Sequence, residues 1–325
     1  MKLKLYLVCF CALGTFYKLN AQADGKVLIN TVYDDPYKNY WGVALFAGLE
    51  LQSKSSGGLY YGAAGRFSLA KVATFSANVG LDLTKLSGSG GIVKVDQDLA
   101  SKLPSYKNIE LRAVYHLKDY EGSKNNKVSL GSDGSYEYST NYATKSRRVT
   151  GITASLNVNG RAYVQNVDSI EVLKIKDPTS GESVGYLQGI STGQNNVFIG
   201  AGIQIAEYTF FKGKFTGGAH GTAKTRRIKR SVNTNFELLF APAIIVSDEA
   251  YIKRNGVLET YEVNEVEKKN FGFRITADIL NGKPGWFTRV ELGKKPGIEA
   301  PLKLDSKLGK FLTNGYFSFA FGFGF

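Results

Sequence analysis

The sequence predicts an all-β chain folded as a transmembrane antiparallel up-and-down β-barrel. Three observations predict it: a two-residue hydrophobic period that recurs along the chain, an export-type N-terminus, and a last strand whose phenylalanines share one face. Side chains alternate faces along a strand, so a period of two marks a sheet that is apolar on one side. A barrel of this kind escapes the usual hydropathy test, because only alternate residues face lipid.

Lys2 and Lys4 precede a short apolar stretch from Leu5 to Phe16, and Leu19-Asn20-Ala21 closes it with small Ala21 suited to cleavage. Residues 1–22 therefore read as a secretory signal peptide. Cys9 and Cys11 both lie inside it, which leaves the mature chain neither a disulfide framework nor a thiolate metal site. Residues 23–38, with Asp34-Asp35-Pro36-Tyr37, read as a periplasmic lead-in, and 39–325 as the barrel. The formal charge of +13 falls to +10 once Lys2, Lys4 and Lys18 are removed. On an outer-membrane protein that excess suits anionic head groups and sugars better than nucleic acid.

The strands follow in order. In 39–52, Val43, Leu45, Ala47, Leu49 and Leu51 oppose Ala44, Gly48, Glu50 and Gln52. In 59–69, Tyr61, Ala63 and Phe67 oppose Gly62, Arg66 and Ser68; in 72–84, Phe75, Val79 and Leu81 oppose Ser76, Asn78 and Asp82. Across 107–118, Ile109, Leu111, Tyr115 and Leu117 oppose Glu110, Arg112, His116 and Lys118. Weaker periods at 128–140, 146–158, 163–176, 184–193 and 214–227 fill the middle, with Asn159-Gly160 as a hairpin turn.

Further on, Val197 to Ile205, 234–246, 270–280 and 285–293 repeat the pattern, with a tight turn at Asn281 to Gly285. The total is about fourteen strands, or about twelve if 128–140 is a loop, since such barrels favour even numbers. Segments 85–106, 177–183, 247–269 and 294–313 then become outer loops.

The opposite face decides between lipid and a second sheet. A soluble sandwich would place long polar side chains there, whereas this face often carries Gly, Ala and Ser, as a crowded lumen requires. The lumen candidates are Glu50, Arg66, Asp82, Glu110, Arg112, His116, Lys118, Glu237, Arg274, Asp278, Arg289 and Glu291. Paired across strands, these charges would close the barrel; segregated onto separate walls, they would line a charge-selective pore.

The last strand sets Tyr316, Ser318, Ala320, Gly322 and Gly324 against Phe317, Phe319, Phe321, Phe323 and Phe325. Five phenylalanines on one exposed face invite aggregation in water and suit a lipid-facing strand of about ten residues. This tail resembles the C-terminal strand of bacterial outer-membrane barrels. The resemblance implies that Tyr316, Phe317, Phe319, Phe321, Phe323 and Phe325 form a signal read by the barrel-assembly machinery. Together with the Asn20-Ala21-Gln22 end of the signal and the Lys/Asn/Tyr-rich mature chain, the sequence resembles outer-membrane proteins of the Bacteroidota, a Gram-negative group. It lacks the Asn-Pro-Ala-Tyr-Ala-Gly motif expected of PorP/SprF-like barrels.

Catalytic motifs are weak. The imidazoles are His116 and His220, and neither has a carboxylate and a nucleophile at a recognisable spacing. No His and Asp pattern indicates a metal, and Gly88, Gly90 and Gly91 lack the Lys-Ser or Lys-Thr of a phosphate loop. The basic run Lys224 to Arg230, with Arg226, Arg227, Lys229 and Arg230, reads as a head-group or partner contact near the periplasmic rim. The sequence thus points to a non-enzymatic, cofactor-free protein exported to the periplasm and integrated in the outer membrane. A porin-like passive channel for small solutes is the first expectation. The second is an accessory subunit of a secretion, assembly or surface-protein complex. The expected partners are outer-membrane lipid, lipopolysaccharide, the barrel-assembly machinery and other outer-membrane or periplasmic proteins, with no nucleic acid.

Overall fold

The computed structural model describes residues 28–36, 40–52, 58–69, 71–83, 101–133, 136–164, 173–184, 190–216, 223–282, 285–298 and 315–324. The predicted signal peptide, His220 and Phe325 lie outside them. The strands are β1 (Leu28–Asp34), β2 (Tyr40–Gln52), β3 (Gly58–Leu69), β4 (Ala73–Asp82), β5 (Lys107–Asp133), β6 (Tyr136–Val164), β7 (Leu173–Lys176) and β8 (Ser183–Val184). They continue as β9 (Ser191–Thr216), β10 (Ala223–Arg254), β11 (Val257–Val266), β12 (Lys268–Lys269), β13 (Phe271–Gly282), β14 (Gly285–Lys294), β15 (Gly297–Ile298) and β16 (Gly315–Gly324).

Among the described residues, ten strands close an antiparallel ring in the order β2, β3, β4, β5, β6, β9, β10, β13, β14, β16, and β16 pairs back onto β2. Every ring neighbour is also the next ring strand in the chain, so the all-β, up-and-down barrel stands. The strand number does not. Ten replaces the expected fourteen or twelve because four predicted strands form no ring strand of their own: 163–176 and 184–193 take in β7 and β8, which lie outside the ring, and the other two are hairpin tips. Residues 128–140 contain the reversal of β5 into β6, with Asp133 opposite Tyr136, and 214–227 contain that of β9 into β10, with Ala223 opposite Thr216. Strands β5, β6, β9 and β10 run 27, 29, 26 and 32 residues. The other six ring strands run 10 to 13 residues, so the surplus of these four leaves the ring.

Asn159-Gly160 is no turn; both residues sit inside β6, opposite Asn108 and Lys107. The Asn-Gly reversal lies instead at Asn255-Gly256 between β10 and β11, where φ is 49° and 82°. A two-residue type I′ hairpin needs positive φ at both positions. Strand β11 therefore lies in what the sequence presents as an outer loop, paired to β10 outside the ring and continued by β7 and β8.

The outer wall is apolar. One row of register partners crosses it through Tyr115, Ile152, Ile203, Phe236, Ile275, Leu292, Phe317 and Leu51. Leu238 is 75% exposed and Phe271 68%. Small residues on the inner face leave room for rings. A Cβ at Gly48 would meet the Tyr60 ring at 2.5 Å, and one at Gly62 would meet Phe46 at 2.7 Å.

At the rim holding Trp41, Leu69, Gly282 and Gly324, two ribbons leave the ring. One is the β5–β6 hairpin beyond residue 117; the other is the β9–β10 hairpin between about residues 209 and 229, with β1 added along β9 opposite residues 211–216. On these ribbons the buried face changes. In the barrel β6 buries Arg147, Val149, Gly151 and Thr153, whereas farther out it buries Tyr142, Thr144 and Ser146. Strand β9 likewise switches from Gln204, Ala206 and Tyr208 to Thr209, Phe211, Gly213 and Phe215. Tyr142 meets Phe211 and Phe215 at ring distances of 4.8 and 5.0 Å. Two-stranded ribbons twist more than wide sheets, so the faces that point outward along the barrel turn toward each other beyond it.

Candidate functional site

The candidate site begins in the lumen, where the chain has placed its ionised groups. Glu110 and Arg112 come from β5, Glu237 from β10, Arg274 and Asp278 from β13, and Arg289 and Glu291 from β14. Arg274 is the hub. Its Nη1 donates to Glu110 Oε2 at 2.8 Å and to Asn157 Oδ1 at 2.9 Å, its Nε donates to Glu237 Oε2 at 2.8 Å, and its Nη2 donates to Ser155 Oγ at 3.1 Å. Arg289 Nη2 donates to the same Glu110 Oε2 at 2.7 Å and to Glu291 at 2.9 Å. Arg112 reaches Glu237 Oε2 at 2.9 Å.

These bonds span the interior. Strand β5 is six places from β13 one way around the ring and four the other, so Glu110 and Arg274 meet across the lumen. Arg66 from β3 crosses similarly to Asp278 at 3.0 Å. Toward the opposite rim, Lys295 Nζ and the Tyr106 hydroxyl both donate to Glu50 Oε2, at 2.7 and 2.9 Å, and the Tyr316 hydroxyl donates to Glu291. Five carboxylates (Glu50, Glu110, Glu237, Asp278, Glu291) thus face five cations (Arg66, Arg112, Arg274, Arg289, Lys295). Such burial is tolerated because each of these ten groups has an opposite charge within reach; a sixth cation, Arg161 of β6, is also buried.

A second stopper is apolar. Phe46, Val149, Tyr208, Leu280 and Phe287, from five different strands, form a buried cluster inside the ring. Beside it, a cavity of about 30 Å³ touches Arg66, Asn78 and Asp278, room for about one water.

Nine of the twelve lumen candidates join this network, and Lys118, Asp82 and His116 lie apart from it. Lys118 is exposed, because a bulge between His116 and Lys118 inserts Leu117 as an unpaired residue and shifts the facing of the side chains that follow on β5. Asp82 lies at the opposite rim, half-buried, where its Oδ2 accepts from the Tyr106 amide at 3.4 Å. Three participants, Lys295, Tyr106 and Arg147, were not singled out by strand periodicity. Lys295 and Tyr106 lie just outside strands, and Arg147 belongs to a run whose facing is ambiguous in sequence.

His116 is inward and buried, at the foot of the β5–β6 ribbon. Its Nε2 lies 3.0 Å from Thr74 Oγ1, its Nδ1 3.3 Å from Asp119 Oδ2 and 3.2 Å from Arg147 Nη2, and Thr74 Oγ1 lies 3.0 Å from Ser68 Oγ. Hydroxyl, imidazole and carboxylate in that order have the connectivity of a hydrolytic triad. The hydroxyls, however, are 2% and 0% exposed, and Arg147 holds Asp119 at 2.6 Å. The cluster anchors the bulge at the base of the ribbon.

Of the basic run, the backbone of Arg226 and Arg227 lies on the β9–β10 ribbon, Lys229 Nζ donates to the Trp41 carbonyl at 3.1 Å and sits over its ring, and Arg230 is exposed at the rim. Tyr316 points inward, whereas Phe317, Phe319, Phe321 and Phe323 point outward, and Trp286 stacks on Phe321. Among the described residues, no group of three or more His, Cys, Asp or Glu side chains is placed to hold a metal ion. No protein-family model matches the chain, and comparison with characterised proteins finds no significant match.

Proposed function

We propose that this chain is an integral outer-membrane β-barrel whose lumen is sealed by ion pairs. It acts without catalysis, as an accessory subunit that presents its ribbons to other envelope proteins. The observation that carries the reading is the reversal along single strands: polar inside and apolar outside through the ring, then aromatic inside beyond the rim. Water favours the second arrangement and hydrocarbon the first, so the reversal supports a change of solvent at the rim. The lumen favours docking over conduction, because ion pairs cross it from wall to wall.

One observation favours the porin-like reading. Asn159, Gln204, Asn233 and Asn235 have buried side-chain atoms without a protein partner, and buried amides of this kind are ordinarily satisfied by water. A hydrated file along β6, β9 and β10 would be the start of a pore. Planar-bilayer recording on the purified chain separates the two readings. The sealed barrel gives no resolved current steps, whereas reproducible unitary steps at moderate voltage would replace docking with passive diffusion. The membrane assignment has its own test: the mature chain should need detergent or lipid to stay monodisperse.

A further inference from the structure

The β9–β10 ribbon carries a feature that sealing the lumen does not use. Residues 209–230 hold seven cations (Lys212, Lys214, Lys224, Arg226, Arg227, Lys229, Arg230) and no Asp or Glu. The β5–β6 ribbon, by contrast, mixes both signs. Along 223–229 the β10 backbone pairs with β9 on one side, while its ladder to β13 begins only at Arg230 opposite Asn281. Among the described residues no strand pairs with that other edge. An unpaired edge is a template for one more strand, and here its flanking sequence is uniformly positive.

From these two facts we infer that the 223–229 edge is a docking site for an extended, acidic segment of a soluble envelope protein, which adds as a strand beside β10. The inference deepens the accessory-subunit reading and rests on it. Reach argues against lipid as the occupant. Seven residues at about 3.3 Å each carry the edge roughly 20 Å along the strand past the rim, whereas the head-group layer is only about 6 Å deep on each side. A second copy in the same membrane presents at this rim only the mixed-sign β5–β6 ribbon. Its acidic stretch, Glu259, Glu262, Glu265 and Glu267, belongs to the opposite rim.

The test uses the full mature chain in detergent micelles and a synthetic peptide of about twelve residues alternating glutamate with valine and threonine. Binding is followed by fluorescence anisotropy, and the edge by hydrogen exchange of the 223–229 amides. The peptide should bind and slow exchange there by about tenfold or more, and a lysine-for-glutamate peptide should do neither. Replacing Arg226→Glu and Arg227→Glu together should weaken binding by about tenfold with the barrel's heat-modifiable gel mobility unchanged. A second pair, Lys212→Glu with Lys214→Glu, should weaken binding yet leave the exchange protection intact at saturating peptide. Undiminished binding to both pairs overturns the proposal, as does binding without slower exchange at 223–229. Protection by anionic phospholipid vesicles but not by peptide overturns it in favour of head groups. Current steps in a planar bilayer with protection retained would remove the sealed barrel and leave the docking edge standing.

Discussion

Arg274 and Phe215 are both fully buried, and they belong to cores built on opposite principles. Around Arg274 the interior is ionic, and the apolar side chains of the same strands are turned out. Around Phe215 the interior is aromatic, with Tyr142 and Phe211 against it and exposed polar side chains such as Lys214 and Asn125 outside. A charged core gains little from the hydrophobic effect, since its groups lose hydration that pairing only partly returns. It is tenable where the exterior contributes, and a bilayer around Ile203 and Phe236 would do so. The ribbons, which on the proposed reading stand in water, bury their rings against each other. The change from one core to the other takes a few residues, at the His116–Lys118 bulge and where Ser146 and Arg147, or Tyr208 and Thr209, are buried in succession.

The largest test of this contrast is Arg274→Met. It leaves Glu110 and Glu237 short of a partner and should cost about 4 kcal/mol, as when one member of a buried ion pair is removed. Urea unfolding in phospholipid vesicles would read it. Adding Glu110→Gln and Glu237→Gln should recover a good part of the loss, and no recovery would mean that Arg274 acts by packing alone. Next comes Phe215→Ala, which should cost the ribbon core about 3 kcal/mol. Limited proteolysis should then cut the β9–β10 hairpin while the ring persists; simultaneous loss of both would merge the two cores into one cooperative unit. Ile203→Arg sits in an outward row between Ile152 and Phe236 and should cost about 2–3 kcal/mol in a bilayer. A neutral result there would take the hydrocarbon away from this wall. The smallest effect belongs to the partly exposed Lys124–Glu207 pair, 2.6 Å apart and joining the β5–β6 ribbon to β9 at the rim. A double-mutant cycle should return about 0.5 kcal/mol.

What the sequence could and could not express follows from range. Faces were legible wherever a strand keeps one solvent on each side: Glu110, Arg112, Glu237, Arg274, Arg289 and Glu291 all point inward as their alternation requires. Lys118 defeated the pattern because a bulge is one inserted residue and has no compositional mark. Two Asn-Gly pairs offered the same turn chemistry, and only Asn255-Gly256 uses it; at Gly160 the pleat continues, with Asn195 and Lys107 packed 2.7 Å from where a Cβ would sit.

By itself, then, the sequence determined the strand habit, the polarity of each face in the ring and the identity of the ionised groups inside, because alternation is written two residues apart. Which strand closes on which, how many close, and which acid meets which base depend on partners far apart in the chain, 245 residues for Lys295 and Glu50. Only the closed ring, with its two long hairpins carried past the rim, decided those. Register and ring size are set by the whole sheet at once, and no local stretch of chain contains them.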